Sequence, residues 1–376
     1  MSRDIIQQQF LELVRTGLFP ELNARIIPHG NSVDWEMLHR LAEEQSVKGL
    51  VAAGIDNLPA SETPPKEVVL QFIGSTFQLE QRNKAMNAFV AKLMEQLRTE
   101  DIYAILVKGQ GIAQCYEKPL WRACGDVDLL LSESDYERAK ELLCPLATDV
   151  ETEYTHFKHQ GMTIDGWVVE LHGTLHSRLS KRVDRMVDDV QKDVFYGGNV
   201  RPWDNGGTQV FLPSPDNDVI FVFTHILHHF FFEGIGLRQI CDWCRLLWTY
   251  RDSLNHELLE SRIRKMGLMS EWKAFATFAV KWLGMPVEAM LLYEDNHNVN
   301  LDKKADKICK FVLEVGNFGH KQRRDYRGMS YLRRKFVSVW GRLSDMLRHF
   351  QLFPKDSIVF FGGVLRSGLH AAVRGE

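Results

Sequence analysis

Apolar positions recur at helical spacing along the first hundred residues. Within 4–16, Ile5, Phe10, Leu13 and Val14 make one stripe, and Trp35, Leu38, Leu41 and Ala42 repeat the pattern after Asp34. GLVAAGIDNLP reads as a helix end and a turn. SETPPKE reads as a loop, because consecutive prolines remove backbone donors and bias the preceding residue away from helix. A long helix is then predicted from about Lys66 to Arg98.

The period changes near residue 101. IYAILVKG is short, apolar and partly β-branched, as a buried strand is. GIAQCYEKPL predicts a short helix or turn, and DVDLLLS a strand that alternates and then enters a core. SESDYERAKELLCPL has a serine at the N-cap position and acids in its first turn, so it predicts a helix. EYTHFKHQGMTI and WVVELHGTL predict two strands joined at Asp165–Gly166, a strong hairpin signal. RPWDNGGTQVFLPSPDND reads as a loop with one short strand at most. Further helices are predicted for DNDVIFVFTHILHHFFFE, for LRQICDWCRLLWTYRD, and near 255–266, 270–283, 301–315, 330–350 and 356–371. The fold class is therefore α+β and mostly α. A small mixed-sheet core at 100–180 sits between an N-terminal helical region, 1–99, and a C-terminal helical domain, 181–376.

Composition narrows the choices. The chain has 376 residues, 45% hydrophobic and 25% charged, with a net charge of −3. That is ordinary for a globular protein and shows no overall basic excess of the kind a nucleic-acid binder displays. No stretch approaches the roughly 20 apolar residues that span a bilayer, and the N-terminus lacks the apolar run of a signal peptide. The expected compartment is the cytoplasm, with the six cysteines reduced. Cys241 and Cys244 form a CxxC pair without a second pair at zinc-site spacing, so they are read as thiols packed in or beside a helix.

The acids carry the chemistry. Strand side chains alternate, so Asp126 and Asp128 share a face and repel each other unless a cation lies between them. A hard divalent ion, Mg²⁺ or Mn²⁺, suits such oxygen ligands. In WVVELHGTL, Val168, Glu170 and His172 share one face. A glutamate in an apolar strand is costly to bury unless paired or bound to metal. If that strand lies beside DVDLLLS, Glu170 becomes a third ligand, and three carboxylates hold two ions about 3.5–4 Å apart. Gly109 and Gly111 allow backbone to approach a phosphate. Lys108 and Arg122 are the phosphate-contact candidates, Arg122 through its two-pronged fork.

The order strand–KG–helix–R–GDxD–helix–strand–strand with ELH is far more specific than any of its parts. LVKGQGIAQCY, then Arg122, GDVDLLL and VELH, resembles the uncharacterised nucleotidyltransferase family of bacteria, within the DNA polymerase β-like superfamily. Lys108, Gly109, Tyr116, Arg122, Gly125, Asp126, Asp128, Glu170 and His172 match that family's pattern. The resemblance is close over about residues 100–176. It implies a nucleotidyltransferase core in which Asp126, Asp128 and Glu170 bind the metals and do the catalysis. It implies nucleotide binding around Lys108, Gly109, Gln110, Arg122 and His172. The implied partners are a nucleoside triphosphate and an acceptor hydroxyl on a sugar, protein, RNA or small molecule. One departure stands out: most active members of the superfamily have Gly-Ser or Gly-Gly where this chain has Gly109–Gln110. That favours an alternative, a catalytically degenerate regulator that binds nucleotide or a partner.

Two other features invite function. His225, His228 and His229 lie at helical spacing; they line a cleft or a packed face, or in a third reading bind the metal of a hydrolase. Residues 321–348 are rich in Arg and Lys interleaved with Tyr331, Phe336 and Trp340. This is an amphipathic helix with a solvated basic face, or else a contact for a polyanion or an anionic surface.

Overall fold

The structure is a computed structural model that describes residues 3–22, 33–153, 158–294, 298–316, 349–355 and 357–359. Four helices lead: α1 (Arg3–Leu18), α2 (Trp35–Glu44), α3 (Lys48–Asp56) and α4 (Lys66–Thr99). Asp34 caps α2 by accepting from the Met37 amide at 2.9 Å. The segment GLVAAGIDNLP holds the expected helix end and turn, with α3 stopping at Asp56 and Asn57–Leu58 turning after it; its small and apolar residues are nearly all buried.

The sheet follows: β1 (Ala104–Val107), helix α5 (Gly109–Ala113), β2 (Asp126–Leu131), helix α6 (Glu133–Leu143), β3 (Asp149–Val150), β4 (His159–Ile164) and β5 (Trp167–His172). Ser132 caps α6, accepting from the Asp135 amide. The strand order is β1-β2-β5-β4-β3. β2 and β5 run parallel; β1–β2, β5–β4 and β4–β3 are antiparallel. The β4–β5 connection is the expected hairpin, with Asp165 and Gly166 at φ 51° and 80°.

The C-terminal part contains α7 (Lys181–Phe195), a second hairpin of β6 (Val200–Asn205) and β7 (Thr208–Pro213), then α8 (Pro215–Phe232), α9 (Leu237–Tyr250), α10 (His256–Met266), α11 (Met269–Leu283) and α12 (Val299–Val315). The second hairpin corrects the reading of RPWDNGGTQVFLPSPDND as a loop. Gly206 and Gly207 at positive φ close a two-residue turn, and Val210 and Leu212 are buried in one core while half-buried Phe211 packs against the other. Among the described residues no helix is long and apolar enough to cross a membrane. The basic stretch 321–348, and most of the helices expected at 330–350 and 356–371, lie outside the described residues.

Two hydrophobic clusters meet at the sheet. Val127, Leu129 and Leu131 of β2, with Val169 and Leu171 of β5, pack against Met86, Phe89, Val90 and Leu93 of α4 and Tyr136 and Ala139 of α6. The opposite face belongs to the other cluster, which joins Ile105, Val107 and Leu130 to side chains of α1–α3, α7–α9, α11 and α12. Alternation along β2 thus sends Leu130 into this second core and leaves Asp126 and Asp128 on the same face, nearer its open end.

Candidate active site

The register brings the acids together. Asp126 pairs with Val168 and Asp128 with Glu170 across the parallel β2–β5 ladder. Opposed residues share a face, so Asp126, Asp128, Glu170 and His172 project to one side. They line a cleft of about 440 Å³, with Lys108 and Gly109 at one rim and α8 and α9 opposite.

Hydrogen bonds tie this floor. His172 Nε2 lies 2.8 Å from Asp128 Oδ1 and 3.4 Å from Glu170 Oε2. His159 Nε2, from β4, lies 3.2 Å from the same Glu170 oxygen. Lys108 Nζ lies 3.0 Å from Asp128 Oδ1. The backbone of Lys108 has φ 57° and ψ −141°, a conformation that favours glycine, and this turns the chain sharply out of β1.

The electrostatics sort the three acids. Burial, and then the charges of Asp128 and Glu170, raise the Asp126 pKa. Asp128 is buried too, yet Lys108 and His172 outweigh the burial and lower its pKa. Burial also works against the charge of Glu170, but His159 and His172 hold its carboxyl well below the usual range. His172 is correspondingly raised: burial opposes its charge, and the bonds to Asp128 and Glu170 prevail. Neighbouring carboxylates thus occupy different electrostatic environments, as acids with different tasks do.

Three sequence expectations land elsewhere. Arg122 is buried, with its fork on Asp242 of α9: Nε to Oδ1 at 3.0 Å and Nη2 to Oδ2 at 2.6 Å. Tyr116 donates to the same carboxylate at 2.7 Å. Arg122 lines the cleft, and its paired donors anchor it to α9. Gln110 is 2% exposed and faces α4, where it donates to Asn83 Oδ1 at 3.0 Å. Asn83 in turn donates to the carbonyls of Leu120 and Arg122 at 2.8 Å each. Gln110 therefore braces the loop that carries Arg122. Gly111 faces Leu212, which a Cβ would approach to 2.8 Å, so its small size serves packing against β7. Gly109, at φ 36°, lies on the cleft as expected.

The opposite wall holds the α8 histidines. His229 Nε2 is 3.1 Å from His225 Nε2, and its Nδ1 is 2.9 Å from Glu233 Oε2. His228 Nδ1 is 2.7 Å from the Ser177 carbonyl. Burial, reinforced by the charge of Lys108, pushes His225 well below the ordinary histidine value. Among the described residues, the group whose ligand atoms come within 4.8 Å of one another is His159, Glu170 and His172. His159 was missed from sequence, although the hairpin encodes it: counting outward from Asp165–Gly166 places His159 directly opposite His172. Arg238, also missed, lines the cleft and donates to the Ala123 carbonyl at 3.0 Å.

The pattern carried by these residues is a recorded one. The family described as uncharacterised nucleotidyltransferase matches residues 31–284, well over half of the chain. The chain belongs to that family. As a family member, this nucleotidyltransferase has its matched region running from just before α2 to the end of α11, so α4, the sheet and the histidine helix all fall within it. The crystal structure of an antigenic nucleotidyltransferase-like protein from Paracoccidioides brasiliensis is similar at 14% identity, over 54% of this chain and 93% of that one, with a TM-score of 0.33. No curated protein matches the chain.

Proposed function

We propose that this protein transfers a nucleoside monophosphate from a nucleoside triphosphate to an acceptor hydroxyl on a sugar, protein, RNA or small molecule. The acceptor oxygen bonds to the α-phosphorus, the α–β bridging bond breaks, and pyrophosphate leaves with the bridging oxygen. The acceptor proton passes to a base beside Glu170 or to water. The observation that carries this reading is the convergence of Asp126, Asp128 and Glu170 on one face of the sheet, at the floor of a single cleft.

The donor set fits divalent metal: three carboxylates and two imidazoles line one cleft. Bound there, Mg²⁺ or Mn²⁺ supplies charge stabilisation for the attacking and leaving oxygens. The residues do the rest by position. Asp126 and Asp128 would hold the ions, with Glu170 beside the acceptor. Lys108, 3.0 Å from Asp128 and lining the cleft, is the cation that would face the phosphates. Gly109 exposes backbone to the triphosphate. Arg238 takes the phosphate-facing place first given to Arg122, and Arg122 holds the wall through Asp242. Asp126→Asn is expected to abolish pyrophosphate release while leaving the circular dichroism and melting curve intact. Turnover retained in that variant would sink the assignment.

The Lys108–Asp128 pair favours one other reading, a regulator that binds nucleotide without turning it over. Calorimetry with ATP, GTP, CTP and UTP, with and without Mg²⁺, separates the two. Transfer predicts binding that needs metal and is lost in Asp126→Asn/Asp128→Asn. Metal-independent binding that survives in that variant favours the regulator.

A further inference from the structure

The proposed site gathers more than carboxylates. β4 and β5 pair in register, so His159 and His172 stand directly opposite each other on the cleft face. Their rings are 4.9 Å apart at a tilt of 36°, and each Nε2 approaches the same oxygen of Glu170, at 3.2 and 3.4 Å. Two imidazoles and one carboxylate thus converge on one point, with ligand atoms within 4.8 Å of one another. Both histidines and Glu170 line the cavity, so an ion arriving through the cleft meets them.

The two strands hold this group rigidly. Gly161 lies opposite Glu170, where a side chain would meet the Glu151 carboxylate at 2.7 Å. Asp128, the nearest further acid, already holds Lys108 as well as His172. The opening with the most donors and without a lysine amine on it is therefore the one between His159, Glu170 and His172.

We infer that His159 is a metal ligand, and that this centre binds a divalent transition ion of the Mn²⁺–Zn²⁺ class through imidazole nitrogen in preference to Mg²⁺. Magnesium demands oxygen ligands in near-ideal octahedral geometry and keeps its water; imidazole nitrogen suits the transition ions. Two imidazoles that meet at one carboxylate oxygen give little to Mg²⁺ and much to Mn²⁺. This inference rests on the proposed reading only in placing a metal at Glu170; it does not depend on nucleotide transfer.

The test uses the full chain, stripped by chelation and loaded with Mn²⁺. Pulsed electron paramagnetic resonance reads ¹⁴N coupling on the bound ion, and titration gives the affinities of Mn²⁺ and Mg²⁺. Two coupled imidazole nitrogens are expected. His159→Gln is expected to remove one of them and to weaken Mn²⁺ at least about tenfold, while Mg²⁺ changes by no more than about twofold. A Mn²⁺ ion with no nitrogen or with one in the wild-type protein overturns the inference. So does a folded His159→Gln variant that holds Mn²⁺ as the wild type does. The wild-type spectrum decides the matter even if the variant fails to fold. If two nitrogens are seen but no nucleotide is turned over, the metal assignment stands and the transfer reading falls. Loss of turnover in Asp126→Asn with the nitrogen signal intact supports both.

Discussion

At the scale of single residues, Lys108 combines two opposed demands. Its φ of 57° with ψ −141° is a backbone state that costs a residue with a Cβ about 1–3 kcal/mol. Its amine meanwhile neutralises buried Asp128. Substitution separates the two. Lys108→Ala loses the amine and keeps the strain, whereas Lys108→Gly loses the amine and releases the strain. Lys108→Gly should therefore be the more stable of the pair by about 1 kcal/mol or more, measured from urea midpoints. An alanine variant as stable as the glycine one would show that the turn carries no strain. Arg122 shows the other side of residue-level reading. Its place before GDVD suggested a ligand contact, but whether a fork meets a phosphate or an internal acid depends on what lies across the cleft. Asp242 lies 120 positions downstream, hidden between two cysteines that drew attention to themselves.

At the scale of elements, the long α4 is the bracket of the site. Asn83 is fully buried and joins three groups: the carbonyls of Leu120 and Arg122, and the amide of Gln110. Asn83→Ala leaves all three without that partner, at about 1–3 kcal/mol for each group left buried and unpaired. The expected outcome is a loss of about 3 kcal/mol in stability and a raised KM for nucleotide, with Asn83→Asp no better because a carboxylate donates to no carbonyl. A melting temperature unchanged in either variant would remove α4 from this role. Much at this scale was legible. The change of period near residue 101, the Ser132 cap and the Asp165–Gly166 turn all express local rules, and the structure follows them. The β6–β7 hairpin was not read correctly. In α3 the glycines serve close packing: a Cβ on Gly49 would lie 2.0 Å from the Trp121 carbonyl. The hairpin was obscured by the prolines and glycines around its strands. Asp126, Asp128 and Glu170 were legible as a group because strand alternation fixes their faces. His159 lay one counting step away, and Asp242, Asn83 and Arg238 reach the site only through tertiary packing, which no spacing announces.

At the scale of the whole molecule, the sheet divides two cores, and the reactive groups are distributed unevenly between surface and interior. Cys115, Cys124, Cys241, Cys244 and Cys309 are buried, and only Cys144 is half-exposed. Burial raises the thiol pKa of each of the six. The CxxC pair is buried in α9, where its thiols are held in the less reactive protonated form. The native protein should react with a thiol reagent at Cys144 alone at mildly alkaline pH, and at all six positions after denaturation. Rapid native labelling at Cys241 or Cys244, located by mass spectrometry, would contradict the packing of α9.

The ammonium of Lys108 on Asp128 also bears on how the chain matures. A cluster of like charges on one sheet face would oppose the closing of β2 on β5 if nothing balanced it. This protein carries a balancing charge on its own first strand. The newly made chain therefore carries within itself a charge that helps its sheet to close.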